Sequence, residues 1–309
     1  MRITVPAALT ASHLRYADDA GPAWVAALPG LAERFLDEWE LRPDGEPSHG
    51  IVALVLPVVR ADGTRAALKL QPVTEETADE ALALRAWAGD GAVRLLAADP
   101  ETGTLLLERL HAHRSLEDVP DVTAALETLT ALLGRLSSRP APASGLRRLE
   151  DIAWRMLDEV DAAVAALPRE RDRAWLRRCA GAVAELTPEL AGGHRDRLLH
   201  WDLHYANVLA ADREPWLVID PKPLAGDPGF ELLPALWNRW DEAVATGDVR
   251  GETLRRFDLM TEGLGADRRR AAGWTLGRVL QNCLWLVREG DRELDDVQLR
   301  IAEAVHTRW

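Results

Sequence analysis

Apolar residues near the N-terminus recur every three or four positions, which is the spacing of one face of a helix. The recurring residues are Trp24, Leu28, Leu31, Phe35 and Trp39. Pro43, Asp44 and Gly45 interrupt the pattern, so we predict a helical segment over 1–46. An apolar face of this kind is typical of core packing, and we expect these side chains to be buried.

Strand-like sequence follows the helical segment. The apolar runs 51–60 and 65–70 are separated by the dipeptide Asp62-Gly63, which favours the tight turn of a β-hairpin. Two further short strands are expected at 92–99 and 104–110. These four runs predict a small β-sheet.

Helical patterns dominate the rest of the chain. We predict a helix from Thr74 to Ala88, with Thr74 as its N-cap. Further helices are expected at 115–136, 146–167, 169–190 and from about 230 onward, with a β-rich island at 198–220. The sequence therefore predicts an α+β protein with a small β-sheet N-lobe and a larger, mostly helical C-lobe.

The change of pattern also suggests where the lobes divide. We place the N-lobe at 1–107, a hinge at 108–114 and the C-lobe at 115–309. Ligands often bind where two lobes meet, so we expect the functional residues to come from both.

The formal charge of −13 comes from 50 acidic and 37 basic residues. An acidic surface repels nucleic acid and anionic membranes, and we expect neither as a partner. The charge either attracts a cationic ligand or serves solubility alone. No apolar run has the length of a signal peptide or a membrane span, and Cys179 and Cys283 lie far apart, so we expect a cytoplasmic protein.

Lysine is scarce in this chain. Of the 37 basic residues, Lys69 and Lys222 are the lysines and all others are arginine. A compact ammonium and a planar guanidinium do different work, so each lysine is a candidate functional residue.

The β-rich island carries the pattern His200-x-Asp202, with Asn207 five residues after the aspartate and Asp220 at the end of the next strand. A hairpin brings Asn207 and Asp220 to one edge, beside the loop that carries Asp202. Mg²⁺ prefers hard oxygen ligands of the kind that Asn207 and Asp220 supply. Asp202 would accept a proton from an attacking hydroxyl or simply orient it, which is chemistry suited to phosphoryl transfer.

Three segments of the chain resemble the aminoglycoside phosphotransferases, which have a protein-kinase-like fold. The segments are 108–116, 198–209 and 219–233, and they are most similar to the branch that includes streptomycin 6-phosphotransferases and hydroxyurea phosphotransferases. The resemblance covers the chain from about residue 48 onward. It implies a two-lobed kinase that uses ATP, with GTP open as an alternative, and Mg²⁺.

The resemblance assigns roles by position. Asp202 matches the catalytic aspartate, and Asn207 and Asp220 match the magnesium ligands. His200 matches a structural loop histidine, and Asp227 matches an aspartate that steadies the C-lobe.

The nucleotide side of the resemblance lies in the N-lobe. Lys69 matches the lysine that holds the nucleotide phosphates, and Glu80 matches its partner, with Glu76 as the fallback. The remaining matches are Glu108 and Leu110 as hinge groups for adenine, and His49 and Gly50 in the loop that covers the phosphates.

The sequence departs from the family pattern in two places. The phosphate-covering loop has a single glycine, and the metal segment reads Asp220-Pro221-Lys222 where kinases have D-F-G. Lys222 either contacts phosphate or points to solvent. Trp201 lies inside the predicted catalytic loop, residues 200–207, and is the tryptophan that we place near the site. We expect most of the other tryptophans in the core.

The resemblance implies a kinase that phosphorylates a hydroxyl of a small cationic antibiotic, with streptomycin first. A kinase for another small alcohol or for hydroxyurea is the alternative. A zinc-type hydrolase built on His200, Asp202 and His204 explains the sequence less well, because it leaves Asn207 and Asp220 without a role. A non-catalytic nucleotide-binding protein is disfavoured because Lys69 and the other three site residues are all present.

Overall fold

The computed structural model describes residues 3–16, 21–193 and 196–309. The helices are α1 Ala7–Tyr16, α2 Gly21–Glu38, α3 Glu80–Trp87, α4 Val122–Ser137, α5 Leu149–Ala166, α6 Glu170–Leu186, α7 Leu233–Trp237, α8 Trp240–Ala245, α9 Val249–Gly263, α10 Arg268–Glu289 and α11 Asp296–Val305. The strands are β1 Arg42–Pro43, β2 Ser48–His49, β3 Leu54–Val59, β4 Arg65–Leu70, β5 Leu95–Asp99, β6 Thr104–Glu108, β7 His111–Ser115, β8 Arg147–Arg148, β9 Arg197–Leu199, β10 Val208–Ala210, β11 Trp216–Val218 and β12 Leu224–Gly226.

The chain divides into two compact units. The first comprises Met1–Ala112 and Ala210–Leu217, and the second comprises His113–Leu209 and Val218–Trp309. The short hairpin segment 210–217 thus groups with the first unit, although the sequence pattern alone gave no reason to separate it from its neighbours. No helix among residues 3–16, 21–193 and 196–309 is long and apolar enough to cross a membrane.

The first unit is built on an antiparallel sheet. Its strand order is β1-β3-β4-β6-β5, and β2 also pairs with β3. The predicted hairpin is confirmed, since β3 and β4 pair along their whole length from Leu54 opposite Leu70 to Val59 opposite Arg65. Burial alternates strictly along β3, as expected for a strand with one face on a core.

Helices α1 and α2 cover this core. Leu9, Leu28 and Phe35 are completely buried and belong to the same apolar cluster as Leu54 and Leu68 of the hairpin. The helical prediction for 1–46 is confirmed in outline, but α2 ends at residue 38. Residues 1–2 and 17–20 of that prediction lie outside the described residues.

The helix predicted from Thr74 is shorter than expected. Helix α3 begins only at Glu80, because residues 75–79 form turns. The Thr74 hydroxyl accepts the backbone N–H groups of Glu76 and Thr77, and the Thr77 hydroxyl donates to Pro72 O. These local bonds offer the backbone an alternative to the helix, as threonine often does.

The second unit is mostly helical. Helix α10 lies at its centre and packs against α5, α6 and α11, while α4 packs against α9. A small sheet of order β8-β12-β9 includes the first strand of the β-rich island, β9, with Leu224 opposite Leu199 in antiparallel register. The sequence pattern did not predict strands β1, β2, β7, β8 and β12, because strands of two to five residues carry little periodic signal.

A third sheet has the order β11-β10-β7. Each of its strands contains residues of both units. It includes the hairpin β10–β11 that the β-rich island predicts.

Candidate active site

Lys69 lies on the central strand β4, opposite Val55 of β3 and Leu105 of β6. Its ammonium donates to both carboxylate oxygens of Glu80, at 2.7 and 2.9 Å. The side chains are 6% and 1% exposed, so this is a buried ion pair. The predicted pairing with Glu80, and not with Glu76, is therefore seen in the structure.

Gln71 joins this ion pair as a third polar side chain, which the sequence pattern did not predict. Its amide donates to Glu80 Oε2 at 2.6 Å, and its side chain is almost fully buried. A buried carboxylate needs several donors to offset its lost hydration. The signal in the sequence was a single polar residue two positions after Lys69, on the same strand face.

His49 ends strand β2 and Gly50 begins the exposed turn that leads to β3, where Gly50 N–H donates to Ala53 O at 3.0 Å. A Cβ added to Gly50 would meet no atom within 4 Å, so local packing does not require glycine there. The turn is attached to α1 through Ser12 Oγ, which donates to Ile51 O at 2.6 Å, and His13 Nε2, which lies 2.9 Å from Val52 O.

Glu108 ends strand β6, and its side chain fixes the hairpin segment 210–217. Arg213 donates to both carboxylate oxygens, at 2.7 Å from Nη2 and 3.3 Å from Nε. The same carboxylate accepts the backbone N–H of Arg94. Leu110 follows and is buried. The predicted contacts of Glu108 and Leu110 with adenine stay a prediction.

In the second unit, His200 connects the predicted catalytic loop, residues 200–207, to the segment that follows β11. Its Nε2 lies 2.9 Å from Ile219 O and its Nδ1 accepts the backbone N–H of Asp202. Burial lowers the pKa of His200 to about 4, so the ring is neutral near pH 7. Because both ring nitrogens hold backbone groups, His200 is structural and cannot also bind zinc.

Asn207 and Asp220 lie beside each other, as the hairpin predicts. Asn207 O accepts the backbone N–H of Ile219 at 2.9 Å, which brings the next residue, Asp220, to the same edge. The Asn207 amide donates to Asp202 O at 2.9 Å. This bond connects the predicted metal ligand Asn207 to the loop that carries Asp202.

These groups fit a magnesium ion. The bond to Asp202 O uses the Asn207 Nδ2, so the amide oxygen is the atom available as a hard ligand. Asp220 has a φ of 58°, a left-handed conformation that aspartate tolerates better than most residues and that is common at functional sites. Among the residues that the structure describes, no three His, Cys, Asp or Glu side chains form a metal-binding cluster.

Asp202 forms an ion pair with Lys222. The Lys222 ammonium donates to Asp202 Oδ2 at 2.6 Å, and both side chains are about three-quarters buried. The backbone N–H of Lys222 also donates to His200 O. Lys222 thus turns toward Asp202 and not toward solvent, and its contact with phosphate stays a prediction.

Trp201 and Glu231 hold the loop that carries Asp202 through a buried hydrogen bond. Trp201 has a φ of 66° and is buried, with the guanidinium groups of Arg147 and Arg278 over its ring. Its ring is thus a packing group rather than a ligand platform. Its backbone N–H donates to the fully buried Glu231, whose Oε2 has no hydrogen-bond partner among the described residues. Burial raises the pKa of Glu231 to about 7.

Two other predicted residues flank the site. Burial lowers the pKa of His204, so it adds no strong positive charge. Asp227 accepts the N–H of Gly229 and pairs with Arg270 at 2.5 Å, a contact that agrees with its expected structural role.

Comparison with known proteins identifies the family. The family model described as "Aminoglycoside/hydroxyurea antibiotic resistance kinase" matches residues 38–290. The chain belongs to this family of kinases. It is therefore a phosphotransferase that transfers a phosphoryl group from ATP to a hydroxyl group of a small molecule.

Sequence similarity to individual members of the family is high and covers nearly the whole length of this chain. The chain is 56% identical over 303 residues to streptomycin 6-kinase of Streptomyces glaucescens, covering 98% of this chain and 97% of that protein. It is 52% identical over 305 residues to hydroxyurea phosphotransferase of Kitasatospora aureofaciens, covering 98% and 86%.

Solved structures show the same fold. A choline/ethanolamine kinase family protein from Mesorhizobium loti matches with a TM-score of 0.54 at 16% identity, covering 87% of this chain and 86% of that one. The chain therefore has the protein-kinase-like fold that the sequence predicted, with a small sheet lobe and a mostly helical lobe.

Proposed function

We propose that this kinase transfers the γ-phosphoryl group of ATP, with Mg²⁺, to a hydroxyl of streptomycin and thereby inactivates the antibiotic. The observation that carries the proposal is the 56% identity to a streptomycin 6-kinase across 98% of this chain. The net charge of −13 supports it, because streptomycin is a cation and an acidic surface attracts cations.

Asp202 is the proposed catalytic residue. A new bond forms between the acceptor oxygen and the γ-phosphorus, and the bond from that phosphorus to the bridging oxygen breaks, with its electron pair remaining on ADP. The hydroxyl proton passes to the Asp202 carboxylate. The loop is held for this task by hydrogen bonds from Asn207 and to His200, so its position needs little rearrangement during the reaction.

Asn207 and Asp220 are the proposed magnesium ligands, and Lys69 the proposed ligand of the nucleotide phosphates. The ion would neutralise phosphate charge in the ground state and during transfer. Glu80 holds the Lys69 ammonium in one place through bonds of 2.7 and 2.9 Å, and Gln71 in turn holds the Glu80 carboxylate through a bond of 2.6 Å. A fixed ammonium loses less entropy on binding phosphate than a mobile one.

The test is a coupled assay of ADP release with streptomycin, other aminoglycosides, hydroxyurea and simple sugars as acceptors. Asp202→Asn should lower kcat by about 10²–10⁴-fold, the usual effect of losing a positioned proton acceptor. Asp220→Asn should raise the magnesium concentration needed for half-maximal rate. Full turnover by Asp202→Asn, or no turnover by wild type with any acceptor, would reject the proposal.

Hydroxyurea is the second candidate acceptor, because the 52% identity to a hydroxyurea phosphotransferase is almost as high. Comparison of kcat/KM for the two acceptors under the same conditions decides between them. A higher value for hydroxyurea would replace streptomycin as the proposed substrate while leaving the catalytic residues unchanged.

A further inference from the structure

The ion pair between Lys222 and Asp202 sits at the centre of the proposed site. Its length is 2.6 Å, and the side chains are 25% and 21% exposed. Water therefore screens it less than a surface pair. A lysine that only improves solubility would have no reason to be held in such a position.

The backbone around Lys222 is unusually restricted. Pro221 precedes it and Pro223 follows it. A residue before proline is biased toward extended conformations, and the Lys222 N–H is bonded to His200 O at 3.0 Å. The direction in which the side chain leaves the backbone is thus fixed by the segment itself and by the catalytic loop.

The catalytic loop offers no other cation to Asp202. Residues 200–207 contain no arginine or lysine, and burial keeps the two histidines of the loop, His200 and His204, toward the neutral form. Among residues 3–16, 21–193 and 196–309, Lys222 is the one cationic side chain paired with the Asp202 carboxylate.

A cation at this place suits phosphoryl transfer, in which the charge of the phosphoryl group is stabilised electrostatically. The acceptor hydroxyl must lie within hydrogen-bond reach of Asp202, and the phosphorus must approach that same oxygen. An ammonium 2.6 Å from Asp202 Oδ2 is therefore close to the phosphoryl group during its transfer. Lysine carries three N–H donors, which suit it to a carboxylate and a phosphoryl oxygen together.

We propose that Lys222 is a further functional residue of the transfer reaction, which orients the Asp202 carboxylate and stabilises the negative charge of the phosphoryl group as it passes to the acceptor hydroxyl. Lys222 remains an ammonium throughout, and the hydroxyl proton goes to Asp202. The inference rests on the proposed function, and the experiment below separates the two.

The experiment compares Lys222→Met, Lys222→Ala and Lys222→Arg with wild type and Asp202→Asn. Lys222→Met keeps the buried stem and removes the ammonium, so it protects the test against a failure to fold. We expect kcat to fall about 10²–10³-fold in the Met and Ala variants, as for the loss of one donor to a developing negative charge. KM for ATP and for the acceptor should change by less than about threefold.

Chemical rescue provides the readout that a structural role would not give. Propylamine contains the atoms that Lys222→Ala removes, and we expect it to raise kcat of that variant about tenfold or more. It should not rescue Lys222→Met, in which the methionine side chain fills the space. Sodium chloride at equal ionic strength is the salt control.

Two binding measurements complete the test. Calorimetry should show ADP–Mg²⁺ affinity within about threefold of wild type for Lys222→Met. The added thermal stabilisation by aluminium fluoride over ADP alone should be lost, because this anion mimics the phosphoryl group in flight. Arg300→Ala is the matched control, since it breaks another ion pair of 2.6 Å, with Asp296 on the surface of α11, and should leave all values unchanged.

The outcomes are distinguishable. If wild type is active and Asp202→Asn is not, but Lys222→Met keeps kcat within threefold of wild type or changes KM alone, the inference is wrong and the proposed function stands. If wild type transfers phosphoryl to no acceptor, or Asp202→Asn is fully active, the proposed function itself fails.

Discussion

The backbone N–H of Trp201 donates a hydrogen bond of 2.5 Å to Oε1 of Glu231, thirty residues further along the chain. Trp201 has a left-handed backbone, which costs a bulky residue about 1–3 kcal/mol. The bond to Glu231 and the guanidinium groups over the indole ring hold it there. These contacts therefore fix the direction in which the side chain of the next residue, Asp202, projects from the loop.

Glu231 should make stability depend on pH. Burial raises the pKa of its carboxyl from 4.5 in the unfolded chain to about 7 in the folded protein. Between these values the folded state binds more protons than the unfolded state, so stability falls as pH rises through this range and is constant above it. The oxygen that lacks a partner, Oε2, is the expected site of the proton.

Glu231→Gln tests this dependence. Glutamine does not titrate, so the free energy of unfolding of wild type minus that of the variant should fall by up to about 3 kcal/mol between pH 5 and pH 8. Urea unfolding at four pH values gives the difference, and other groups cancel in it. Glu262→Gln, at an exposed site on α9, is the control and should give a flat difference. A flat difference for Glu231→Gln would contradict the prediction.

The buried pair of Lys69 and Glu80 should be costly to break and cheap to replace. Glu80→Ala leaves a buried ammonium without its carboxylate and should lower the free energy of unfolding by about 3–5 kcal/mol. The double variant Lys69→Met with Glu80→Leu should be more stable than Glu80→Ala, because no charge is left buried. Both should lose ADP binding in calorimetry.

The control for this prediction is Arg60→Ala, which removes an exposed pair with Asp62 and should cost at most about 1 kcal/mol. A double variant that is no more stable than Glu80→Ala would contradict this prediction.

Ser12 and His13 should influence nucleotide binding from outside the sheet. They hold the turn 50–53 through bonds of 2.6 and 2.9 Å to Ile51 O and Val52 O. If this turn covers the phosphates, the double variant Ser12→Ala with His13→Ala should raise KM for ATP about five- to tenfold, since each lost bond is worth about 1 kcal/mol. The KM for the acceptor should not change.

Hydrogen exchange at the amide of Gly50 should accelerate in the same variant, because its bond to Ala53 O then belongs to a looser turn. Thr128→Ala removes a hydroxyl bond of 2.8 Å on the surface of α4 and serves as the control. An unchanged KM together with faster exchange would mean that the turn does not contact ATP.

Arg213 should stabilise the end of β6. Besides its two bonds to Glu108, its guanidinium donates to Gly89 O and Ala92 O at 2.7 and 3.0 Å. Arg213→Ala should lower the free energy of unfolding by about 2–4 kcal/mol, because buried acceptors lose a charged donor. Arg213→Lys should recover little, since an ammonium cannot reproduce the planar fork.

Thermal unfolding of the two variants measures the effect. Arg65→Ala, which removes an exposed partner of Asp44, is the matched control and should lie within about 1 kcal/mol of wild type. Full recovery by Arg213→Lys would show that charge alone matters at this position.

The sequence alone determined the parts of this protein that depend on near neighbours along the chain. The hairpin of β3 and β4 follows from two apolar runs and an Asp-Gly turn, and the pairing of Lys69 with Glu80 joins residues eleven positions apart. Asp202, Asn207 and Asp220 were predicted together because one hairpin and the loop before it carry all three. The start of α3 was predicted wrongly because side-chain bonds of Thr74 and Thr77 compete with the helix over 74–79.

Only the tertiary structure decided the contacts that support the site. The bonds of Glu231 to Trp201, Lys222 to Asp202 and Arg213 to Glu108 span 30, 20 and 105 residues. Such pairs leave no periodic signal, because each partner's position depends on how whole elements pack and on which buried charge must be satisfied. The sequence predicted the chemistry of the site, whereas tertiary packing determined which side chains hold the site residues in place.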